Sequence, residues 1–305
     1  MCSHQYTLEL ERTIFNWYYG SDDAVPEPVY NAVVNGLRHD MQVTIPTETS
    51  KAVQRMTVGQ FGHVMDNEKD HAWVPLFTSQ KEMDRGEPSP SVNQSLKGFV
   101  ESVSQQPDCR GCVINPWGQK LFLPKTLLEM LLGYQPKSHI TYVKGSVVDM
   151  HVGAIVNAAN RRLLGGGGVD GAIHRAAGPK LLDACRALGG CNTGEARITG
   201  AYQIAHTDYI IHTVGPVYRG RAEDADLLAA CYANSLDLAL EHGCSSIAFP
   251  GISTGVYGYP VEEAAKVSLS ATARWIDSHP DIVMNVYFCC FKDYEMDAYR
   301  ALEKP

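Results

Sequence analysis

The sequence predicts an α/β protein, with a sheet covered by helices on both faces in its second half. Three observations carry that expectation. From Ile140 onward, short apolar strands alternate with amphipathic helices. Two glycine-bearing loops each lead from the end of an apolar strand into a helix. The chain has 305 residues, 45% of them hydrophobic and 20% charged, enough to bury a core without disulfide or metal staples. The first 135 residues have a different texture, and Gly133–Ser138 is the best linker, so domains are expected at 1–135 and 140–305.

In chain order, the N-terminal part opens with helices at Leu8–Tyr19 and Pro28–Arg38, the second carrying Val29, Val33, Val34 and Leu37 on one face. Strands follow at Gln42–Ile45, Ala72–Thr78 and Cys112–Ile114, with a polar loop at Asp84–Asn93 and a closing helix at Pro124–Leu132. In the second half, Ala154–Val156 reads as a buried strand, followed by a glycine loop and a helix from about Asp170. Tyr209–His212 and Ser246–Phe249 are strands, and Ala225–Glu241 is a helix. A helix over Val261–Asp277 would place Ala264, Ala265, Leu269, Ala273 and Ile276 on one face. Ile282–Phe291 is a strand, and a last helix runs from Tyr294 to Leu302.

Charge and cysteine content exclude several functions. With 26 basic against 34 acidic residues, the net charge of −8 argues against nucleic-acid binding, which needs Lys/Arg patches to displace counterions. The longest apolar run, Ile282–Phe291, is interrupted by Asn285 and is about half of what a bilayer requires, so no membrane association is expected. The opening residues have neither the basic nor the apolar region of a signal peptide. Nine scattered cysteines, an odd count, then read as reduced thiols in a cytoplasm.

The chemistry concentrates in two loops. Asn157-Ala158-Ala159-Asn160 precedes Gly165-Gly166-Gly167-Gly168, which runs through Val169 and Asp170 into a helix. Glycines without a Cβ let backbone N–H groups close on an anion, and the helix N-terminus favours negative charge, so a phosphate belongs there. Gly166-x-Gly168-x-x-Gly171 also spells a dinucleotide fingerprint, but its glycines lie too far beyond the strand and no acidic ribose partner follows. The second loop, Gly251–Pro260, leaves the strand Ser246–Phe249. Two such loops at one sheet edge would clamp a pyrophosphate.

Residues 140–305 resemble a macrodomain, specifically the MacroD type of ADP-ribosyl hydrolase. The resemblance rests on Ala154–Asn160, on Leu163–His174 with Ala177-Gly178-Pro179, on Ile211–Pro216 and on Gly251–Pro260. It implies a three-layer α/β/α sandwich with a mixed central sheet that binds ADP-ribose. It further implies release of mono-ADP-ribose from Asp and Glu side chains and deacetylation of O-acetyl-ADP-ribose. No cofactor and no metal are implied. Catalytic roles would fall to Asp170, which positions or deprotonates the attacking water, to Asn160, which orients the distal ribose, and to Gly167. Ligand contacts would come from Ser146, Val147, Asn157, Gly165, Gly166, Gly168 and Val169. In the second loop they would come from Ser253, Thr254, Gly255, Val256 and Tyr257, and at the last strand's end from Phe291 against adenine. The family's usual Gly-Asp-Ile reads Gly145-Ser146-Val147 here, and a neutral serine accepts about half as strongly as a charged aspartate.

The N-terminal part is similar to the SseB N-terminal domain of bacterial proteins, through Trp73–Ser79, Cys112–Pro116 and Leu121–Pro124. That resemblance implies a small α/β domain, which could recruit a protein partner, and no catalytic constellation. Cys109-x-x-Cys112 lacks a second pair at zinc spacing. Cys185 and Cys191 read as packed thiols, and His174 and His212 as hydrogen-bonded structural residues. The alternative to a hydrolase is a module that reads ADP-ribose without cleaving it. Asn160 together with Asp170 in an intact glycine loop favours the enzyme.

Overall fold

A computed structural model describes residues 3–20, 27–46, 72–86, 90–105, 109–119 and 121–302. Two compact units divide the chain after Pro136.

The first unit contains α1 (Ser3–Gly20), α2 (Glu27–Arg38), β1 (Gln42–Pro46), β2 (Ala72–Leu76), α3 (Gln80–Met83) and β3 (Ser91–Ser95). It continues with α4 (Leu96–Gln105), β4 (Cys109–Ile114), β5 (Leu121–Pro124) and α5 (Lys125–Gly133). β2 pairs in parallel with β4, which pairs antiparallel with β5, while β1 pairs antiparallel with β3. Among the described residues, a bridge from Thr44 to Phe77 joins the two-stranded sheet β1-β3 to the three-stranded sheet β2-β4-β5. Val29, Val33, Val34 and Leu37 of α2 are buried as their spacing predicts, against Leu10 and Ile14 of α1 and Phe99 and Val100 of α4. The expected loop Asp84–Asn93 is corrected in its last three residues, which belong to β3; its residues 87–89 and the Cys109 side chain lie outside the described set.

The second unit contains β6 (His139–Lys144), a 3₁₀ turn (Val147–Asp149), β7 (Val152–Ala158), α6 (Gly168–Ala177), α7 (Pro179–Leu188), β8 (Ala196–Gly200) and β9 (Thr207–Thr213). α8 (Ala222–Glu241), β10 (Ser246–Phe249), α9 (Val261–Ser278), β11 (Asn285–Cys290) and α10 (Asp293–Leu302) complete it. The six strands form one sheet in the order β6-β11-β10-β7-β9-β8. All neighbours are parallel except β8, which runs antiparallel along β9, so the sheet is mixed.

Alternation along the strands builds three layers. Val156, Phe249, Val286 and Phe288 face a core closed by Leu228 and Tyr232 of α8, Trp275 of α9 and Tyr299 of α10. Ile155, Ala248 and Tyr287 face the opposite core, closed by Ile173 of α6 and Leu181 and Cys185 of α7. Central parallel strands buried on both faces are therefore continuous apolar runs, as in Val152–Val156 of β7.

The buried stripe of α9 differs from the expected one. Ala264, Ala265, Ser268, Ala271, Thr272 and Trp275 are buried, whereas Ala273 is exposed and Leu269 and Ile276 are half-buried. Ser268 enters the core because its hydroxyl donates to the Ala265 carbonyl at 2.8 Å and meets Tyr299 Oη at 3.0 Å. β8 and α4 lie where the sequence predicts neither strand nor helix.

Candidate active site

β7 and β10 are parallel neighbours, with Ile247 beside Ala154, so the loops leaving their carboxyl ends emerge at the same sheet edge. β9 is parallel to β7 on its other side and sends residues 214–221 to that edge. Tyr218 N–H donates to the Tyr257 carbonyl at 2.9 Å, tying this segment to the second glycine loop.

In the first loop, Asn160 works as a clasp. Its Nδ2 donates to the Gly165 carbonyl at 2.9 Å, and its Oδ1 accepts from Arg162 N–H at 3.0 Å. Leu163 is buried at a φ of 57°, a left-handed conformation unusual for a branched side chain. The loop thus turns its Leu163 side chain inward and its glycines outward, with Gly166, Gly167 and Gly168 exposed. Gly168 and Val169 lie inside α6, which begins two residues before Asp170.

Asp170 is 4% exposed, in the first turn of α6. Its Oδ1 accepts from Asn157 Nδ2 at 2.8 Å and lies 3.4 Å from His174 Nε2. Its Oδ2 is buried without a hydrogen-bond partner. A Cβ on Gly166 would stand 3.0 Å from this Oδ2, so the free oxygen faces the glycine loop. A buried carboxylate oxygen left open toward a loop of backbone donors can accept a proton from a bound water. The sequence alone gives His174 a structural role; its spacing of four from Asp170, which places both on one helix face, is the signal that links them.

In the second loop, Ser253 is 7% exposed at a φ of 64°, with its Oγ lacking a partner. Its carbonyl accepts from Tyr259 N–H at 3.0 Å, and the Gly255 carbonyl accepts from Gly258 N–H at 2.9 Å, which closes the loop on itself. Thr254 Oγ1 donates to the Gly251 carbonyl at 3.3 Å, Gly255 is exposed, Tyr257 is half-buried, and Val256 is 99% exposed. Gly215 matters as much as any of these and was not singled out from the sequence: a Cβ there would meet Ser253 Oγ at 2.1 Å.

The remaining expected residues are placed as follows. Ser146 caps the 3₁₀ turn, its Oγ accepting from Val148 N–H at 3.3 Å. Val147 is buried with its side chain in the core, which leaves only its backbone for a ligand. Phe291 follows β11 and is 65% exposed with Lys292 Nζ 5.2 Å from its ring centre, so it is not a core phenylalanine. Asn157 requires a correction. It is 0% exposed, its amide nitrogen is spent on Asp170 and His212, and its buried Oδ1 has no hydrogen-bond partner, so it stands behind the carboxylate and offers a ligand no contact. Strand alternation turns its side chain inward.

His212 is also 0% exposed. Burial, and then the neighbouring His174, pushes its imidazole down to about 3. Burial pushes the Cys185 thiol up to about 11, with Asp170 adding to the effect. Cys191 is buried as well. Among the described residues, no three His, Cys, Asp or Glu side chains converge on a possible metal position, and no helix is long and apolar enough to cross a membrane.

The sheet order, the two loops at one sheet edge and the buried carboxylate beside the first of them define a macrodomain. The profile of the macro domain family matches residues 156–268, a span that contains both loops, Asp170 and His212. A macro domain-containing protein of Chlorobaculum tepidum is 58% identical over 159 residues, which are 52% of this chain and 91% of that protein. The chain belongs to the macro domain family. An ADP-ribose glycohydrolase, MACROD1 of Bos taurus, is 51% identical over 54% of this chain and 51% of its own length, so the chain spans about half of that relative. The solved macrodomain of Oceanobacillus iheyensis with ADP is 41% identical, with a TM-score of 0.52 over 54% of this chain and 90% of that one. The Trypanosoma brucei macrodomain in complex with ADP-ribose is 46% identical, with a TM-score of 0.50 over 54% of this chain and 69% of that one.

Proposed function

We propose that the chain is a hydrolase that removes mono-ADP-ribose from Asp and Glu side chains and deacetylates O-acetyl-ADP-ribose, using a positioned water and no metal. The observation that carries this reading is the unpartnered, buried Oδ2 of Asp170, facing the glycine loop across from Gly166. Relatives named ADP-ribose glycohydrolases, at about half identity, support the substrate class.

In this reading, backbone N–H groups of Gly165–Gly168 and of Ser253–Tyr257 hold the diphosphate, aided by the N-terminal dipole of α6. Phe291 stacks on the adenine, with Ser146 as a neutral acceptor beside it. Asn160 keeps the first loop closed and meets the distal ribose with its second amide hydrogen. Water oxygen bonds to the anomeric carbon as Asp170 Oδ2 takes its proton. The bond from that carbon to the side-chain ester oxygen breaks, and the acceptor leaves as a carboxylate. Because a carboxylate is already a competent leaving group, general-base help worth about 10²–10⁴-fold suffices. The same water reaches the acetyl carbonyl of O-acetyl-ADP-ribose. The N-terminal unit, of SseB-like character in this reading, recruits the modified protein.

The test is incubation with a protein mono-ADP-ribosylated on glutamate beside one modified on arginine. Release from glutamate alone is expected. Release from neither, with ADP-ribose still bound in calorimetry, would instead establish a reader.

A further inference from the structure

The Asn157 amide lies between Asp170 and His212, and its chemistry fixes the proton arrangement around it. Nδ2 is 2.8 Å from Asp170 Oδ1 and 3.1 Å from His212 Nδ1. An ionised carboxylate only accepts, so the amide atom facing it is the nitrogen and not the oxygen. That nitrogen has two hydrogens and no acceptor capacity. One goes to Asp170, and the other goes to His212 Nδ1, which must carry a lone pair. The neutral ring then holds its proton on Nε2, 2.9 Å from Thr199 Oγ1 and 3.7 Å from Cys185 Sγ.

The sheet builds this line. Asn157 and His212 are register partners on the parallel strands β7 and β9. Thr199 lies on β8, the antiparallel neighbour of β9. Each side chain is fixed by a ladder of backbone hydrogen bonds, and the line ends on one oxygen of Asp170. The titratable groups that face it are His174 from α6 and Cys185 from α7. Burial holds the ring neutral, since its proton affinity is pushed down to about 3.

We propose that His212 is a positioning residue for Asp170: its bare Nδ1 holds the Asn157 amide in the one orientation that occupies Oδ1 and leaves Oδ2 to take the proton from water. The inference rests on the hydrolase reading above, which gives His212 no part. Without the acceptor, Asp170 still draws the amide nitrogen toward it, but one of the two N–H bonds that set the plane of the amide is lost, and the angle at which the other N–H meets Oδ1 is no longer fixed. Misplacing a reacting group by about 1 Å costs on the order of 100-fold in rate.

Three variants separate positioning from packing. In His212→Asn, the side-chain oxygen replaces Nδ1 and keeps the acceptor for Asn157, while the shorter side chain leaves a void. In His212→Gln, the amide reaches the former Nε2 position beside Thr199 instead. His212→Leu fills the volume and accepts nothing. The expected order of kcat is Asn well above Gln and Leu, the latter two falling on the order of 100-fold while calorimetric affinity for ADP-ribose stays near wild type. The expected order of melting temperature is the reverse, because the Asn variant carries the largest cavity. If kcat follows melting temperature, with Asn the slowest, the proposal is overturned.

A second measurement needs no variant to fold. Nitrogen-15 NMR of the wild-type chain should show His212 Nδ1 unprotonated and Nε2 protonated from about pH 5 to 8, the range in which a free imidazole changes charge. A protonated Nδ1 would overturn the proposal by itself. A wild-type chain that turns over neither substrate would sink the hydrolase reading, and with it His212's part in catalysis, even where NMR finds the expected tautomer.

Discussion

Gly215 and Ser253 approach so closely that a Cβ on the glycine would lie 2.1 Å from Ser253 Oγ and 2.7 Å from Ile252 Cγ2. Neither neighbour can retreat easily. Ile252 is 1% exposed in the core, and Ser253 is held by the bond from Tyr259 N–H to its carbonyl. Gly215→Ala should therefore push the second loop out of shape while leaving the sheet intact. ADP-ribose affinity is expected to fall at least 10-fold, about 1.4 kcal/mol, with the far-ultraviolet circular dichroism unchanged. Calorimetry checks this.

The adenine end gives an opposed pair of substitutions. Phe291→Ala removes an exposed ring, and loss of an aromatic stack of about 0.5–1.5 kcal/mol corresponds to roughly 2- to 10-fold weaker ADP-ribose binding. Ser146→Asp replaces a neutral acceptor with a charged one, which forms about twice as strong a hydrogen bond. An aspartate is also a good cap, so the bond from Val148 N–H survives. Tighter binding of ADP-ribose, without a matching gain for a base that lacks the exocyclic amine, is expected from competitive titrations.

Stability should depend on pH through His212. Its folded value, about 3, lies below the ordinary 6.5, so the unfolded chain binds the extra proton between these limits. The stabilisation is fully present above about pH 6.5, and it is lost as pH falls toward 3. The slope approaches about 1.4 kcal/mol per pH unit for one proton. Carboxylates also titrate in acid, so the comparison that isolates the ring is wild type against His212→Leu. Denaturant titrations at pH 7, 6 and 5, within about the span where a free histidine charges, should show the wild type losing more stability than the variant.

The parts of the fold legible in the sequence are those with a period. The apolar spacing of α2 and the runs of β7, β10 and β11 stand out because burial on one or both faces leaves a regular pattern. β3 does not stand out, since Ser91-Val92-Asn93-Gln94-Ser95 is an exposed to half-buried strand with no core face to write alternation into it. α4 carried a readable signal in Leu96, Phe99, Val100 and Val103, all buried. The buried polar side chains of α9 escaped for a different reason. Ser268 is inside only because Ala265 and Tyr299, distant in one case by thirty-one positions, satisfy its hydroxyl.

At the site, the glycine loop and Asp170 were legible because their chemistry is local: a run without Cβ atoms and an acid at a helix start. Asn157 was misassigned because a strand's residues alternate between its two faces, and sequence does not say which face meets the ligand. The links from Asn157 to His212 and from His212 to Thr199 cross fifty-five and thirteen positions, and only the sheet register brings them together.

If the buried carboxylate directs water while the loops bind the nucleotide, turnover and calorimetric affinity in the single variant Asp170→Ala will separate the two roles. ADP-ribose affinity is expected within about 3-fold of wild type, and turnover of glutamate-linked ADP-ribose lower by about 10²–10⁴-fold. Turnover at the wild-type rate, or binding lost in step with turnover, would contradict that assignment of roles.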